Sequence, residues 1–337
     1  MRASPAPIVR RAELQVDVSD AVGCGERLRT AVTVAWPSPL PDRPLVIVAW
    51  PGGGYNRHYF DLQLPDQAGY SQAEHHARHG IITVACDHLG VGDSSVPVSA
   101  LGHADLARAN AATATAVLTR LRDGAIARDL APLPELVAIG VGHSYGGLLL
   151  TMLQAAQPVF TAVGMLGWSG VNTVIPVDHK HPMLADMNRT RVPGLQHPYR
   201  QAFHYEDVPE AIVAVDLDGY PYRPDGAPQP SWAARFMPGG PKAAPERPPN
   251  GAITAAEAAR IDVPVLIAMG ERDVCPDPWA EPGAYRSSLD VTLVIIPAMA
   301  HAHNFASTRS LLWDRIVTWA ATIVALQPGS QADEEAV

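Results

Sequence analysis

Gly142-His143-Ser144-Tyr145-Gly146-Gly147 lies between two apolar runs, Leu136–Val141 before it and Leu148-Leu149-Leu150-Thr151-Met152-Leu153 after it. That order reads as strand, tight turn, helix, with a serine at the apex and a glycine two residues to either side. A strand that turns at once into a helix brings backbones too close for a Cβ, so both flanks call for glycine. The serine hydroxyl then stands proud of the sheet, and the amide after it opens a helix. A serine presented this way suits nucleophilic attack on a carbonyl. The simpler alternative is a glycine-rich turn carrying a chance serine; the strand and helix around it argue for the functional reading.

The same strand–helix rhythm extends both ways. Leu14–Val18 and Arg29–Trp36 read as opening strands. Pro44–Trp50 reads as a buried strand ended by Pro51-Gly52-Gly53-Gly54, and Asp66–His79 as a helix stopped by Gly80. Ile81–Cys86 is the next strand, followed by a long helix over His103–Arg122. Gly147–Ala156 is the helix after the serine, and Ala162–Leu166, Val263–Met269 and Val291–Ile296 are further strands. Ser310–Leu326 closes the domain as an amphipathic helix, with Leu311, Leu312, Ile316, Trp319 and Ile323 on one side. Near-continuous apolar strands alternating with helices predict an α/β fold with a mostly parallel sheet covered on both faces.

Residues 170–260 break this rhythm. They are crowded with proline, histidine and aromatics, among them His179, His181, Tyr199, Phe203, His204, Tyr205, Trp232 and Phe236. A structureless loop of that length is unlike a compact domain, so the span reads as an inserted cap, with 1–169 and 261–326 as the core and 327–337 as a frayed tail.

Bulk properties narrow the function. The chain has 337 residues, 47% of them apolar, and a net charge of −9. With no long basic run, nucleic acid and anionic membrane surfaces are poor partners. Met1–Pro7 lacks the apolar core of a signal peptide, and no apolar run approaches the ~20 residues of a membrane span. Cys24, Cys86 and Cys275 are isolated and read as reduced thiols. The expectation is a cytoplasmic protein acting on a small molecule, with homo-oligomerisation left open.

A serine nucleophile needs a base, an acid that orients the base, and donors for the oxyanion. Met269-Gly270-Glu271-Arg272-Asp273 follows one buried strand, and Pro297-Ala298-Met299-Ala300-His301-Ala302-His303-Asn304-Phe305 follows the last. In a parallel sheet both loops lie on the ligand-binding edge. The chain order is therefore Ser144, Asp273, then His301 or His303. Side chains two positions apart on an extended loop point the same way, and only one is expected to meet Asp273 at the right depth. Glu271 is a fallback acid. His75, His76 and His79 read as a solvated helix face. The His-x-His pairs at His179/His181 and His301/His303 lack the carboxylate or cysteine spacing of a zinc site, so no metal is expected.

These motifs together resemble the α/β-hydrolase-fold serine hydrolases, over roughly residues 30–325. The Gly142–Gly146 elbow is the strongest match. Asp87-His88-Leu89-Gly90-Val91-Gly92-Asp93-Ser94 is similar to the family's Asp-x-x-Gly-x-Gly-x-Ser loop, in which Asp87 and Asp93 are expected to fix the glycine turn. Gly270–Asp273 is similar to its acid loop. Pro51-Gly52-Gly53-Gly54 stands where the family usually has His-Gly. The resemblance implies the N–H groups of Tyr145 and Gly53 as donors, with Gly54 as neighbour. It favours His301 as base, four residues after Pro297. His303 is the alternative, because its His-Asn-Phe string also resembles the family's catalytic histidine and the residues after it. The insertion after Trp168 falls where caps of the family enter.

The expected activity is cleavage of an ester-type bond without a cofactor. The same triad serves acyl transfer, cyclisation and carbon–carbon bond hydrolysis, and a non-catalytic ligand-binding protein on this fold is the rival of another class. Trp50 and Trp168, at strand ends, are candidate pocket walls, with core packing as the alternative.

Overall fold

The strands are β1 (Ile8–Asp17), β2 (Arg29–Ser38), β3 (Leu45–Trp50), β4 (Ile82–Cys86), β5 (Val137–His143), β6 (Ala162–Leu166), β7 (Val265–Gly270) and β8 (Val291–Ile296). They form one sheet in the order β1-β2-β4-β3-β5-β6-β7-β8. The computed structural model describes residues 7–41, 43–53, 55–64, 66–174, 200–216 and 253–327. Gly54, His179, His181, most of the span read as a cap and the C-terminal tail lie outside the described residues. From β4 to β8 every pairing is parallel, while β1–β2 and β2–β4 are antiparallel.

The sheet is buried on both faces, and alternation along one strand shows how. Val46, Val48 and Trp50 pack into one core with Val22 of α1 (Ser19–Val22), α3 (His103–Arg122) and α4 (Tyr145–Ala156). Leu45, Ile47 and Ala49 pack into the other. That second core takes Leu312, Ile316, Trp319 and Ile323 from the closing helix (Arg309–Ala325). Leu311 is 47% exposed, one position off the buried stripe.

Three local expectations need correction. β1 begins at Ile8, six residues before the expected strand. It is an edge strand whose outer positions carry Arg10, Arg11 and Glu13, so little apolar signal marks its start. The expected helix at Asp66 begins only at Gln72 and runs to Arg78 as α2. Asp66 and Gly69 have φ of 57° and 81°, which breaks a helical path, and the Ser71 side chain caps the helix by accepting from the Glu74 N–H. His76, read as solvated, is buried: its Nδ1 lies 2.9 Å from Thr83 Oγ1.

Register fixes where the loops emerge. Trp50 pairs with Gly142, His143 with Leu166, Leu166 with Ala268, and Gly270 with Ile296. The C-terminal ends of β3, β5, β6, β7 and β8 therefore share one edge, where an open parallel sheet binds ligands.

Candidate active site

The turn after β5 has the tight geometry its glycines require. Ser144 sits at φ 52°, ψ −114°, a sparsely populated conformation that persists only where its surroundings impose it. A Cβ on Gly142 would fall 2.4 Å from the Gly146 carbonyl oxygen, and one on Gly146 would fall 2.3 Å from that of Trp50. No other residue fits at either place. The Ser144 N–H donates to the Leu166 carbonyl (2.7 Å), and α4 starts at the next residue. The positive end of that helix lies at the serine.

His301 lies between Ser144 and Asp273. Its Nε2 is 2.8 Å from Ser144 Oγ and its Nδ1 is 2.7 Å from Asp273 Oδ1. Asp273 Oδ1 also accepts from the Val274 N–H (2.7 Å), and Oδ2 from the Gly270 N–H (2.8 Å). Gly167, at φ 56°, leaves room beneath the pair: a Cβ there would lie 3.1 Å from His301 Nδ1.

Both histidines reach the carboxylate, where an extended loop would have allowed only one. His303 Nε2 is 2.6 Å from Asp273 Oδ2. The reason is that the loop is not extended. The His303 N–H donates to the His301 carbonyl (3.0 Å), and residues His303–Phe305 form a 3-10 turn. The two rings, 77° apart in plane, approach different oxygens of one carboxylate. Burial would push the Asp273 carboxyl up, but the His303 and His301 imidazoles beside it hold it well below the usual range.

His143 packs beneath this cluster, stacked on Tyr59 at 4.9 Å and donating from Nε2 to the His301 carbonyl (2.7 Å). Burial and the nearby His301 and His303 rings hold it well below the ordinary histidine range, so it is neutral. Asn304 is pinned as well. Its amide nitrogen donates to the Tyr59 carbonyl (2.9 Å) and to Gln72 (3.0 Å), and its oxygen accepts from Trp313 Nε1 (2.8 Å).

Gly53 and Tyr145 are neighbours: a Cβ on Gly53 would lie 3.6 Å from Tyr145 Cβ. The Tyr55 N–H closes the turn onto the Gly52 carbonyl (3.1 Å). The preceding carbonyl, of Pro51, accepts from His88 Nε2 (2.9 Å), and Asn110 donates to the other ring nitrogen (3.2 Å). Burial lowers the His88 pKa to about 4. Asp87 accepts from the Arg57 N–H (2.6 Å), the Arg57 guanidinium (2.7 Å) and the Asp93 N–H (2.9 Å), and so ties the glycine turn.

Trp50 and Trp168 are both buried in the core with α3 and α4, Trp50 edge-on to Phe160 and Trp168 donating to Thr254 Oγ1 (3.0 Å). Glu271 is turned elsewhere, accepting from the Ala298 N–H (2.8 Å) and Tyr205 (3.2 Å). Among the described residues, three metal-ligating atoms come within 4.8 Å of one another at His75, His79 and Asp314, and not at Ser144.

The segment 200–216 supplies contacts that sequence reasoning missed. The His301 N–H donates to the Ala202 carbonyl (3.1 Å) and the Ala302 N–H to that of Phe203 (2.8 Å). The Phe203 ring lies 5.5 Å from His301. Asp216, buried, accepts from His204 (2.7 Å) and from Tyr55 (3.0 Å) in the loop after β3. The aromatic density of this stretch was visible in sequence, but nothing local marked Ala202 or Asp216.

The chain belongs to the alpha/beta hydrolase family, whose model matches residues 46–310. No curated protein sequence matches it significantly. Similar solved structures share the fold at low identity. Naproxen esterase (carboxylesterase NP) from Bacillus subtilis is 16% identical with a TM-score of 0.59, over 92% of each chain. The peroxisomal alpha-beta-hydrolase from Saccharomyces cerevisiae is 15% identical with a TM-score of 0.60, over 96% of this chain and 92% of that one. The 2-hydroxy-6-oxo-6-phenylhexa-2,4-dienoate hydrolase from Rhodococcus sp. strain RHA1 is 19% identical with a TM-score of 0.59, over 94% and 99%. Among the described residues no helix is long and apolar enough to cross a membrane.

Proposed function

We propose that this protein is a serine hydrolase that cleaves an ester-type bond (ester, lactone or thioester) of a medium-sized organic substrate through an acyl-enzyme on Ser144. One observation carries the reading: the unbroken contact from Ser144 Oγ through His301 to Asp273, at 2.8 and 2.7 Å, within the reach that proton transfer needs.

His301 takes the hydroxyl proton as Ser144 Oγ attacks the carbonyl carbon. The imidazolium that forms faces Asp273, and the oxyanion is met by the N–H of Tyr145 at the start of α4 and that of Gly53 in the loop after β3. His301 then passes its proton to the leaving oxygen or sulfur, and the carbon–heteroatom bond breaks. Water, deprotonated by the same ring, opens the acyl-enzyme, and the proton returns to Ser144. Residues 170–260 act as a cap over this edge; the contacts of Ala202 and Phe203 with His301 and Ala302 support that placement. The free thiols of Cys24, Cys86 and Cys275 fit a reducing, cytoplasmic setting.

The test is labelling with a fluorophosphonate, followed by peptide mapping. Label on Ser144, absent in Ser144→Ala, is expected. A folded protein that takes no label would sink the catalytic reading and leave a ligand-binding role. A panel of esters, lactones and thioesters, run with and without alcohol or amine acceptors, then separates hydrolysis from acyl transfer.

A further inference from the structure

Asp273 receives four donors, and only one of them is the His301 ring. The others are two backbone amides and His303 Nε2–H, which is the shortest contact of the set at 2.6 Å. His303 is buried, and its Nδ1 has no hydrogen-bond partner among the described residues. The ring therefore meets the cluster through one nitrogen only, and that nitrogen gives Asp273 its shortest hydrogen bond.

We propose that His303 is a positioning residue that holds Asp273 and tunes the basicity of His301. This rests on the reading of Ser144, His301 and Asp273 as the reacting set. The two imidazoles compete for one carboxylate. Each donor on Asp273 Oδ2 spreads the carboxylate's charge and weakens its pull on the His301 Nδ1 proton. A weaker pull makes the imidazolium less stable and keeps His301 available as a base to lower pH. His303 also fixes which oxygen faces His301, because Oδ2 is already engaged by His303 and Gly270. The loop is anchored at the next residue by Asn304, bonded to Tyr59, Gln72 and Trp313.

Among the described residues, the other titratable groups facing this cluster do not imitate the effect. His143, 4.9 Å from the His301 ring and 5.0 Å from that of His303, is neutral and donates to a carbonyl. The Tyr59 hydroxyl accepts from the Asn304 N–H (3.1 Å) and is held un-ionised by burial. The Asp216 and His204 pair lies beyond Tyr55, bonded to each other at 2.7 Å.

The experiment measures the pH dependence of Ser144 phosphonylation by a fluorophosphonate in the full chain, for the parent, His303→Leu and His303→Gln. Leu removes the donor at similar size; Gln can place an amide N–H where Nε2 stood. The acid limb, which reports His301, should move upward by about 0.5–1 unit in His303→Leu and return toward the parent value in His303→Gln. A merely structural role lowers the rate and leaves the limb where it was; that result, or a downward shift, overturns the proposal. Ring ¹⁵N NMR of the parent protein is the second measurement, and it needs neither variant nor turnover. His303 Nε2 should carry a proton held in the short hydrogen bond to Asp273, seen as a downfield, slowly exchanging resonance, and a His303 Nε2 without a proton would refute the assignment. Should Ser144 take no label at any pH, the hydrolase reading fails separately, while the His303 Nε2–H resonance still decides this one.

Discussion

Asp87 and Asp273 are both buried carboxylates in loops at the C-terminal edge of the sheet, after β4 and β7, yet they face opposite kinds of partner. Asp87 meets a guanidinium: Arg57 lies 2.7 Å away, and Asp93 and Glu13 add carboxylates at 2.8 and 3.0 Å. Arg57 is charged at every working pH, so Asp87 always faces a cation, although burial raises its own carboxyl above the usual range. Asp273 meets two imidazoles and two amides, and no fixed cation. In the proposed mechanism His301 takes and returns a proton, so the charge facing Asp273 changes during turnover. A carboxylate with a fixed cation holds a loop still; a carboxylate with a neutral base beside it can answer a proton that moves.

The largest test of that contrast lies on the Asp273 side. On the proposed hydrolase reading, Ser144→Ala or His301→Ala should lower turnover by about 10⁴–10⁶-fold, since members of such a set act as a unit. Asp273→Asn should cost about 10⁴-fold, because an amide can present the wrong hydrogen-bonding partner to His301 Nδ1. Thermal unfolding should show all three folded. Turnover within a few-fold of the parent for any of them would break the assignment.

The Asp87 side should fail differently. Asp87→Ala leaves buried Arg57 with only the partly exposed Asp93 and Glu13 carboxylates, which costs about 1–3 kcal/mol of stability. Urea midpoints would record that loss. If Asp87→Ala instead kept full stability and lost turnover as Asp273→Asn does, the distinction between the two carboxylates would collapse.

The pH dependence of stability sharpens the contrast, because the neutral histidines respond before the carboxylate does. Burial lowers His88 to about 4 and His76 to about 3, against about 6.5 in an unfolded chain. Between these values the unfolded state binds protons that the native state refuses, so stability falls as pH falls below about 6.5. Their contribution is complete above that point. Asp273, held below its ordinary value, contributes above about 3.8 and is lost only as pH drops through its lower native value. Urea midpoints at pH 7, 5.5 and 4.5 should therefore decline, and His88→Gln should remove up to about 1.4 kcal/mol per pH unit of that slope. An unchanged slope would mean that His88 is protonated in the native state.

How much of this was legible in sequence depends on the range of each interaction. Ser144 and its glycines are a local device: five consecutive residues fix the turn, and the close approaches at Gly142 and Gly146 are consequences of that turn. Parallel strands made the edge predictable, because a buried strand on both faces is a continuous apolar run. Asp273 and the two histidines could be placed on the edge but not oriented, since orientation came from a 3-10 turn and a carbonyl contact within the loop. Trp50 and Trp168 were undecidable because a strand end serves core and pocket alike; one residue of register chooses between them. The bond from His301 to Ala202 joins backbone groups about a hundred positions apart, and a backbone carbonyl leaves no mark in the residue types.

The smallest effect expected is at Asn110, and it brings both modes into one loop. The stretch that holds Arg57 through charge at Asp87 holds Pro51 through a neutral ring at His88. For His88 Nε2 to donate to the Pro51 carbonyl, its Nδ1 must accept, and Asn110 supplies that donor at 3.2 Å. Asn110→Leu removes that donor from a buried site, which costs about 1–2 kcal/mol. The ring loses the partner that fixed its tautomer, and the Pro51-Gly52-Gly53 turn loses part of its anchor. Turnover should fall by about 3–10-fold, mostly in kcat, since an oxyanion donor acts in the transition state. Ser144 labelling should slow in the same proportion. A drop in stability with kcat and labelling unchanged would detach His88 from the oxyanion turn and make this loop structural at both of its anchors.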